Sequence, residues 1–366
     1  MTLRSAAPEG GDYAPPGRRV LRLGPASWAW RPRAAAVCLL AAVLLLALFA
    51  RALVAFDDYP MGIAEVVRVL LGGGEGGQHF IVFELRMPRA LTGALVGAAL
   101  GLSGALLQGI ARNPLASPDT LGIGWGASVG AVAVIVVGGS AGGVSGAAAQ
   151  FGVPAGAVAG GLAAAFAVFA LAWRAGVHGG RLLLTGVAVS LICANLAYWA
   201  MAWSDVQDAA RAQTWVTGSL HAADWERVGA AAVALAVLLP AALIAARTVG
   251  ALGLGDDTAL GLGVRVDRAR AGLLFCAALL VCAATAAAGP INFVALAAPQ
   301  IALRLCRSPE PPVLASTLLG GALTLGADQL AAGLFPVQLP VGVFTSVLGA
   351  PFLMYLIIVR HREARL

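Results

Sequence analysis

The chain has 366 residues, of which 60% are hydrophobic and only 11% are charged, and its mean hydropathy is +0.86. Soluble domains carry about 25% charged residues, so this composition excludes an aqueous globular protein and indicates an integral membrane protein. All 24 basic residues are arginines. The lack of lysine excludes a P-loop ATPase, whose lysine contacts the nucleotide phosphates, and the scatter of arginines at the ends of apolar runs excludes a nucleic-acid-binding surface.

Residues 1–33 are rich in Arg, Pro and Gly and have no apolar period, which predicts a disordered basic tail in the cytoplasm. The apolar run at residues 34–50 has a secretory signal, cleaved near Ala50, as its alternative interpretation. Nine further apolar runs follow it, so a retained first span is favoured. The segment at residues 56–85 is then external and holds a short amphipathic stretch suited to the membrane interface.

Ten membrane spans are predicted within a permease domain at residues 34–360, which makes the chain a multi-pass protein of the cell membrane. An even number of spans places both ends of the chain on one side. With that side cytoplasmic, 18 of the 24 arginines lie inside and 6 outside, as the positive-inside rule requires. The predicted spans are residues 34–50, 90–110, 120–139, 151–173, 182–203, 228–246, 271–289, 291–306, 313–332 and 341–359.

The second span carries glycines at positions 93, 97 and 101. A spacing of four residues places them on one helix face, where missing side chains let a neighbouring backbone approach closely. A polar break with two prolines, "RNPLASPD", ends this span and precedes the next apolar run. On physical grounds alone, this stretch predicts a tightly packed helix and a loop in any polytopic membrane protein.

The stretch "RMPR…GAALGLSGALLQGIARNPLASPDTLGI" closely resembles the signature block of the FecCD family, and a second match covers the C-terminal third. The resemblance implies an all-α permease of a type II ABC importer for iron–siderophore, haem or cobalamin. It implies as partners two copies of an ATP-binding subunit, a second permease and an extracytoplasmic siderophore-binding protein. The chain itself is then expected to be no enzyme, with no catalytic residues, no metal site and no permanent cofactor.

Arg86 and Arg89 lie on the predicted outer side, against the positive-inside trend. Interfacial anchoring is one explanation. The family resemblance implies another, in which arginines of an "R-x-P-R" motif pair with glutamates of the binding protein. The planar guanidinium suits this role because it binds a carboxylate through two hydrogen bonds.

The cytoplasmic segment at residues 250–270 resembles the family stretch that forms the coupling helix seated in a groove of the ATPase. Its core can form two helical turns with an acidic cap at the start, although an ordinary charged loop fits the composition equally well. The implied coupling residues are Asp256, Asp257, Thr258, Ala259, Leu262 and Gly263.

The resemblance also places Asn113, Pro114 and Leu115 near the inner constriction of the transport path. A plain tight turn explains Asn113 and Pro114 equally well.

Three positions depart from the usual family pattern, with Ala295 in place of Gly, Gln300 in place of His and Gln338 in place of Glu. These variants resemble the second permease of ferric-enterobactin-type pairs. They imply a heterodimer with a sister permease and argue against cobalamin more than against haem.

Asp328 is the acid that lies deep in the spans of the final third, and an ionisable residue in a membrane is a candidate for a proton or sodium relay. A structural cap at the outer end of a span is the favoured alternative. An ion-coupled secondary transporter would need more intramembrane acids or histidines, and a membrane enzyme would need a catalytic constellation that the sequence does not show. A ferric-siderophore permease is therefore the predicted function, with the particular siderophore left open.

Overall fold

The computed structural model describes residues 19–23, 26–54, 59, 61–140, 151–172, 179–334 and 338–363. Helices dominate this part of the chain, as the long apolar runs predict. The helices are α1 (Pro32–Val54), α2 (Ile63–Leu70), α3 (Gly76–His79), α4 (Met87–Ala111), α5 (Ile123–Ser140), α6 (Val153–Ala172), α7 (Gly179–Ala202), α8 (Val206–Val216), α9 (Trp225–Gly253), α10 (Asp256–Gly261), α11 (Val266–Ala288), α12 (Val294–Cys306), α13 (Val313–Gly333) and α14 (Val341–Glu363).

Eight of the described helices are long and apolar enough to cross a membrane, and two shorter apolar helices lie at Ile123–Gly138 and Val294–Cys306. These ten elements match the ten predicted spans, and the helix ends differ from the predicted bounds by a few residues. A π-helical segment, Phe80–Arg86, joins α3 to α4 without a break, so the second span begins further out than the apolar run alone indicates. The ten-span, all-α fold is confirmed.

Two short strands precede α1, namely β1 (Arg19–Leu23) and β2 (Ala26–Trp30). They pair antiparallel, with Arg19 opposite Trp30 and Leu23 opposite Ala26. This hairpin lies in the segment for which the sequence shows no apolar period, so the residue pattern did not predict it.

Helix α4 is the centre of the fold and is buried along most of its length. It packs against α9, α11, α12 and α13. A Cβ at Gly97 would collide with the carbonyl oxygen of Gly320, and one at Gly101 with that of Ser316. The close backbone approach predicted from the glycine spacing is therefore present, and α13 is the neighbour that uses it.

The helical conformation is interrupted between α11 and α12, at residues 289–293. Gly289 has φ +72° and Phe293 has φ +67°, so both lie in the left-handed region. Helix α12 is only 13 residues long, or about 20 Å, and is too short to cross a hydrocarbon core alone. A broken helix of this kind is tolerated at membrane depth where the protein itself satisfies the backbone groups.

Candidate functional site

The outer end of α4 carries the two arginines proposed for docking, and the structure buries both. Arg86 is 1% exposed. Its guanidinium donates to the carbonyl oxygens of Leu53 at 2.8 Å, Val54 at 3.1 Å and Tyr59 at 2.7 Å. It therefore caps the C-terminal end of α1, where helix carbonyls have no partners of their own.

Arg89 is 8% exposed and pairs with Asp328 of α13, which is fully buried. Its Nε and one terminal nitrogen each donate to a different carboxylate oxygen, both at 3.1 Å. The expectation that Arg86 and Arg89 are exposed on the outer surface is wrong, because each finds acceptors inside the chain. Asp328 is neither a helix cap nor an isolated acid, since its partner Arg89 lies on α4, the helix that packs directly against α13.

The cytoplasmic segment contains the short helix predicted there, α10. Three leucines in and beside this helix point away from the body of the protein, with Leu254 65% exposed, Leu260 58% and Leu262 62%. Asp257, Thr258 and Gly263 are exposed as well. The segment thus presents a small apolar surface on the side of the molecule that the arginine distribution assigns to the cytoplasm.

Two details of this segment differ from the predictions. Ala259 is fully buried and packs in the main hydrophobic core, so it is not a surface contact. The residue before α10 that caps it is Gly255, with φ +113°, and no side-chain hydrogen bond caps the helix. The predicted acidic cap is therefore wrong, and the carboxylate of Asp256 is used elsewhere.

Asp256 lies between two arginines. Both terminal nitrogens of Arg270 donate to it, at 3.1 and 2.8 Å, and Arg112 pairs with it from the end of α4. Burial raises the pKa of this carboxyl, but the hydrogen bonds and charges of Arg270 and Arg112 outweigh that cost and hold the pKa below its ordinary value. Asp256 therefore stays ionised at cytoplasmic pH.

Residues 113–115, here called the gate turn, follow α4 directly. The backbone N–H of Leu115 donates to Oδ1 of Asn113 at 3.1 Å, and the N–H of Ala116 donates to the Asn113 carbonyl at 3.1 Å. The tight-turn explanation is thus correct for the local structure. All three residues also line a cavity.

This inner cavity has a volume of about 760 Å³. It lies among the cytoplasmic ends of α4, α9, α12 and α14 and the loop at residues 307–312. Its size falls within the range of small-molecule sites. Its polar lining comes from Gln108, Arg112, Asn113, Gln300, Arg304 and Glu310.

Gln300 belongs to the wall of the inner cavity. It donates to Oε1 of Gln108 at 2.7 Å, and Gln108 donates to the Leu296 carbonyl at 3.2 Å. Arg304 donates to both the carbonyl and Oε1 of Gln300. The side-chain amide of Gln300 thus donates to Gln108 and accepts from Arg304, and it links α12 to α4. The sequence alone did not predict this arrangement.

Gln338 lies on the outer side, where its Oε1 is 2.7 Å from Nε2 of His221. Nδ1 of that histidine is 2.7 Å from the hydroxyl of Ser219. This contact joins the approach to α14 to the loop between α8 and α9.

Asp119 is a further residue that the sequence did not single out beyond its place in the polar break. Its Oδ2 accepts the backbone N–H of Phe293 at 3.2 Å, inside the break between α11 and α12. The ring of Phe293 in turn fills the space that a side chain at Gly349 would need. The loop after α4 therefore satisfies a backbone donor at the interruption between α11 and α12, and the signal for this role was an acid in the polar break between two apolar runs.

Within the described ranges, no group of three or more His, Cys, Asp or Glu side chains lies close enough together to hold a metal ion.

Comparison with known proteins gives a consistent result. The model of the FecCD transport family matches residues 39–359. The ferric enterobactin transport system permease FepG of Escherichia coli is 37% identical over 301 residues, which cover 82% of this chain and 89% of that protein. The achromobactin transport system permease CbrC of Dickeya dadantii is 41% identical over 299 residues, covering 80% and 83%.

A cobalamin import system permease, BtuC of Halobacterium salinarum, is 38% identical over 307 residues, covering 83% of this chain and 77% of that protein. Among solved structures, an inward-facing metal-chelate type ABC transporter matches with a TM-score of 0.77 at 25% identity. That match covers 88% of this chain and 99% of the other.

Proposed function

Because the chain belongs to the FecCD transport family, we propose that it is the permease subunit of an ATP-driven importer for ferric siderophores. The observation that carries the proposal is the family match over residues 39–359, which spans all ten membrane elements. Relatives named for ferric enterobactin and achromobactin support the siderophore as substrate class. The chain provides half of the transport path in the cell membrane.

A cobalamin permease is the second candidate, since a relative with that name is 38% identical. The Gln300 and Gln338 variants favour the siderophore class. An ion-coupled secondary transporter is disfavoured because Asp328, the acid that a relay would use, is neutralised by Arg89 in a buried ion pair.

ATP hydrolysis is assigned to two separate ATP-binding subunits, in keeping with the lack of lysine in this chain. We propose that α10 is the element that seats in one of the two ATPase subunits. Its exposed residues Asp257, Thr258, Leu260, Leu262 and Gly263 form the contact, while Ala259 anchors the helix to the core. An exposed apolar group on a charged surface is typical of a protein–protein contact.

The gate turn is proposed as the inner constriction, and the inner cavity as the vestibule that the substrate enters on the way to the cytoplasm. The second permease is proposed to be a sister chain, in a heterodimer. The support for it is the Gln300 and Gln338 pattern, which resembles the second subunit of paired permeases.

Docking of the binding protein needs exposed groups on the outer side. The buried positions of Arg86 and Arg89 make them supports for the outer surface instead of contacts on it. Arg68 on α2 and Arg211 on α8 are exposed arginines of the predicted outer side. We therefore propose these two as the partners for the acidic residues of a binding protein, with charge complementarity steering the encounter.

The proposal is tested by uptake of radiolabelled ferric siderophores, both hydroxamates and catecholates, in cells with and without the gene. Haem and cobalamin are included in the panel. Loss of one ferric siderophore upon deletion is expected. If cobalamin uptake falls and every siderophore still enters, the siderophore assignment is wrong and the second candidate replaces it.

Complementation of the deletion separates the coupling role from general damage. The variant with Leu260→Asp and Leu262→Asp is expected to insert in the membrane but not to restore uptake, because charged groups would disrupt an apolar seat in the ATPase. Leu71→Asp is the control, since Leu71 is an exposed leucine, at 83%, on the predicted outer side of the molecule. Restoration of uptake by the double variant would contradict the coupling role.

A further inference from the structure

Arg112 is the residue that ends α4, and its side chain reaches across to another part of the chain. Its backbone adopts the left-handed conformation, with φ +48°. Its Nε donates to the carbonyl oxygen of Leu252 at 2.6 Å, near the end of α9, and a terminal nitrogen pairs with Asp256, the first residue of α10. One side chain therefore binds both sides of the turn that carries α10.

Arg270 holds the same carboxylate from the other side. Its side chain is only 7% exposed, and it contacts both oxygens of Asp256. Because the guanidinium is planar and rigid, a two-point contact of this kind fixes orientation as well as distance. Asp256 is thus attached to α11 by a buried arginine and to α4 by a half-exposed one.

Helix α10 has few other attachments to the body. Ala259 is its one buried residue, and its remaining side chains are exposed or half-buried. A displacement of α10 by a partner would therefore act on the rest of the chain mainly through Ala259 and the carboxylate of Asp256.

The gate turn begins at the residue after Arg112. Its hydrogen bonds from Leu115 and Ala116 to Asn113 make it a compact unit that is directly continuous with the end of α4. Arg112 itself also lines the inner cavity. The path from α10 to the cavity wall thus passes through one ion pair and one peptide bond.

We propose that Arg112 is a positioning residue that transmits the displacement of α10 to the gate turn, through its contacts with Asp256 and Leu252. The inference rests on the proposed function, since it assigns a route between the ATPase contact and the inner constriction. Half-exposed ion pairs are weak and can rearrange during a transport cycle, whereas the buried Arg270 keeps Asp256 attached to α11 throughout.

The test uses the complete transporter in proteoliposomes, with the ATPase subunits, the second permease and the binding protein present. ATP hydrolysis and uptake of the ferric siderophore identified by the deletion experiment are measured in the same vesicles. The variants are Arg112→Gln, Arg112→Lys and Asp256→Asn. Arg268→Gln is the matched control, because Arg268 is an exposed arginine on the neighbouring helix α11.

Arg112→Gln is expected to keep ATP hydrolysis within about twofold of wild type while uptake falls about tenfold, so that ATP spent per chelate rises about tenfold, a change typical of lost coupling between sites. Asp256→Asn is expected to act in the same direction. Arg112→Lys is expected to recover part of the uptake, since it keeps the charge but not the forked geometry. The control should leave both rates unchanged.

An unchanged ratio of hydrolysis to uptake in Arg112→Gln would overturn the inference. So would a parallel loss of both rates together with loss of the ATPase subunits from the purified complex, because that result would make Arg112 an assembly contact. Failure of the proposed function is distinguishable from either, since the wild-type vesicles would then take up no ferric siderophore at all.

Discussion

The two ends of α4 each carry an arginine paired with one aspartate, and the two pairs differ in burial. At the outer end, Arg89 and Asp328 are both buried, and their contact joins α4 to α13. At the inner end, the side chains of Arg112 and Asp256 are about one third exposed, at 36% and 37%, and their contact joins α4 to the short helix α10.

The same ionic groups therefore have different physical consequences at the two ends. Separating a buried pair leaves two charges in a medium of low polarity, which is costly. Separating the partly exposed pair returns the Arg112 guanidinium to water while Asp256 keeps its contacts with Arg270, at a cost of about 1 kcal/mol or less. The outer pair is suited to holding two helices in one arrangement, and the inner pair is suited to changing partners as a neighbouring subunit moves.

The largest expected effect comes from breaking the outer pair on one side. Asp328→Asn removes the carboxylate that pairs with the buried guanidinium of Arg89 and is expected to lower the free energy of unfolding by about 3–5 kcal/mol. Thermal unfolding in detergent measures this. The more exposed pair of Arg227 and Asp224, at 3.5 Å and with side chains 34% and 50% exposed, provides the comparison, and Arg227→Gln should cost less than about 1 kcal/mol.

Replacement of both partners sharpens the result. Arg89→Met combined with Asp328→Leu removes both charges and should recover most of the stability lost in Asp328→Asn. If the double variant is as unstable as the single one, the loss in Asp328→Asn does not come from an unpaired buried charge. The proposed difference between the two ends of α4 would then be wrong.

A second, smaller effect separates the contribution of the backbone packing from that of the ion pair. Gly97→Val places a branched side chain against the carbonyl oxygen of Gly320 and should destabilise the interface between α4 and α13 by about 1–3 kcal/mol. At Gly272 on α11, no other atom lies within 4 Å of the position that a Cβ would occupy. Gly272→Ala should therefore raise the free energy of unfolding by about 0.5–1 kcal/mol. Equal losses in the two variants would show that close packing is not what joins α4 to α13.

The sequence predicts the spans well because membrane crossing requires about 20 apolar residues, and that length is visible in a single run. It also predicts the packing face of α4, since glycines at a spacing of four have one structural use in a long apolar helix. The sequence did not predict the hairpin of β1 and β2, because its ten residues combine arginines and apolar residues without a sustained period.

The partners of the ionic groups could not be predicted, because no local pattern encodes them. Arg89 and Asp328 are 239 positions apart in sequence, and Arg112 and Asp256 are 144 positions apart. A partial signal was present, namely an arginine on the outer side and a lone acid in the last third, both in apolar surroundings. Two opposite charges in such surroundings are expected to pair.

The sequence also did not predict which residues of α10 are exposed and which face the core. A helix of six residues is too short for apolar periodicity to show which side faces the body, so Ala259 was assigned to the surface and Leu260 was not. In the structure, Ala259 is buried and Leu260 is exposed.

The smallest expected effect concerns two carboxylates near the inner cavity that differ in their surroundings. Burial raises the pKa of Glu310, and the charge of Arg31 offsets this only in part. An acid whose pKa is raised in the folded chain destabilises that chain while ionised, so Glu310→Gln is expected to raise the unfolding midpoint at pH 7. The gain should shrink as the pH falls towards the raised pKa, because wild-type Glu310 then takes up a proton.

Asp256 should behave in the opposite way. Its pKa is lowered, so its ionised form contributes stability above the ordinary carboxyl pKa of about 4, and that contribution is lost only in more acidic solution. Asp256→Asn is therefore expected to lower the midpoint by the same amount at pH 7 and pH 5. Thermal scans of both variants at the two pH values measure the difference, and a penalty for Asp256→Asn that disappears at pH 5 would mean that Arg112 and Arg270 do not hold this carboxylate ionised.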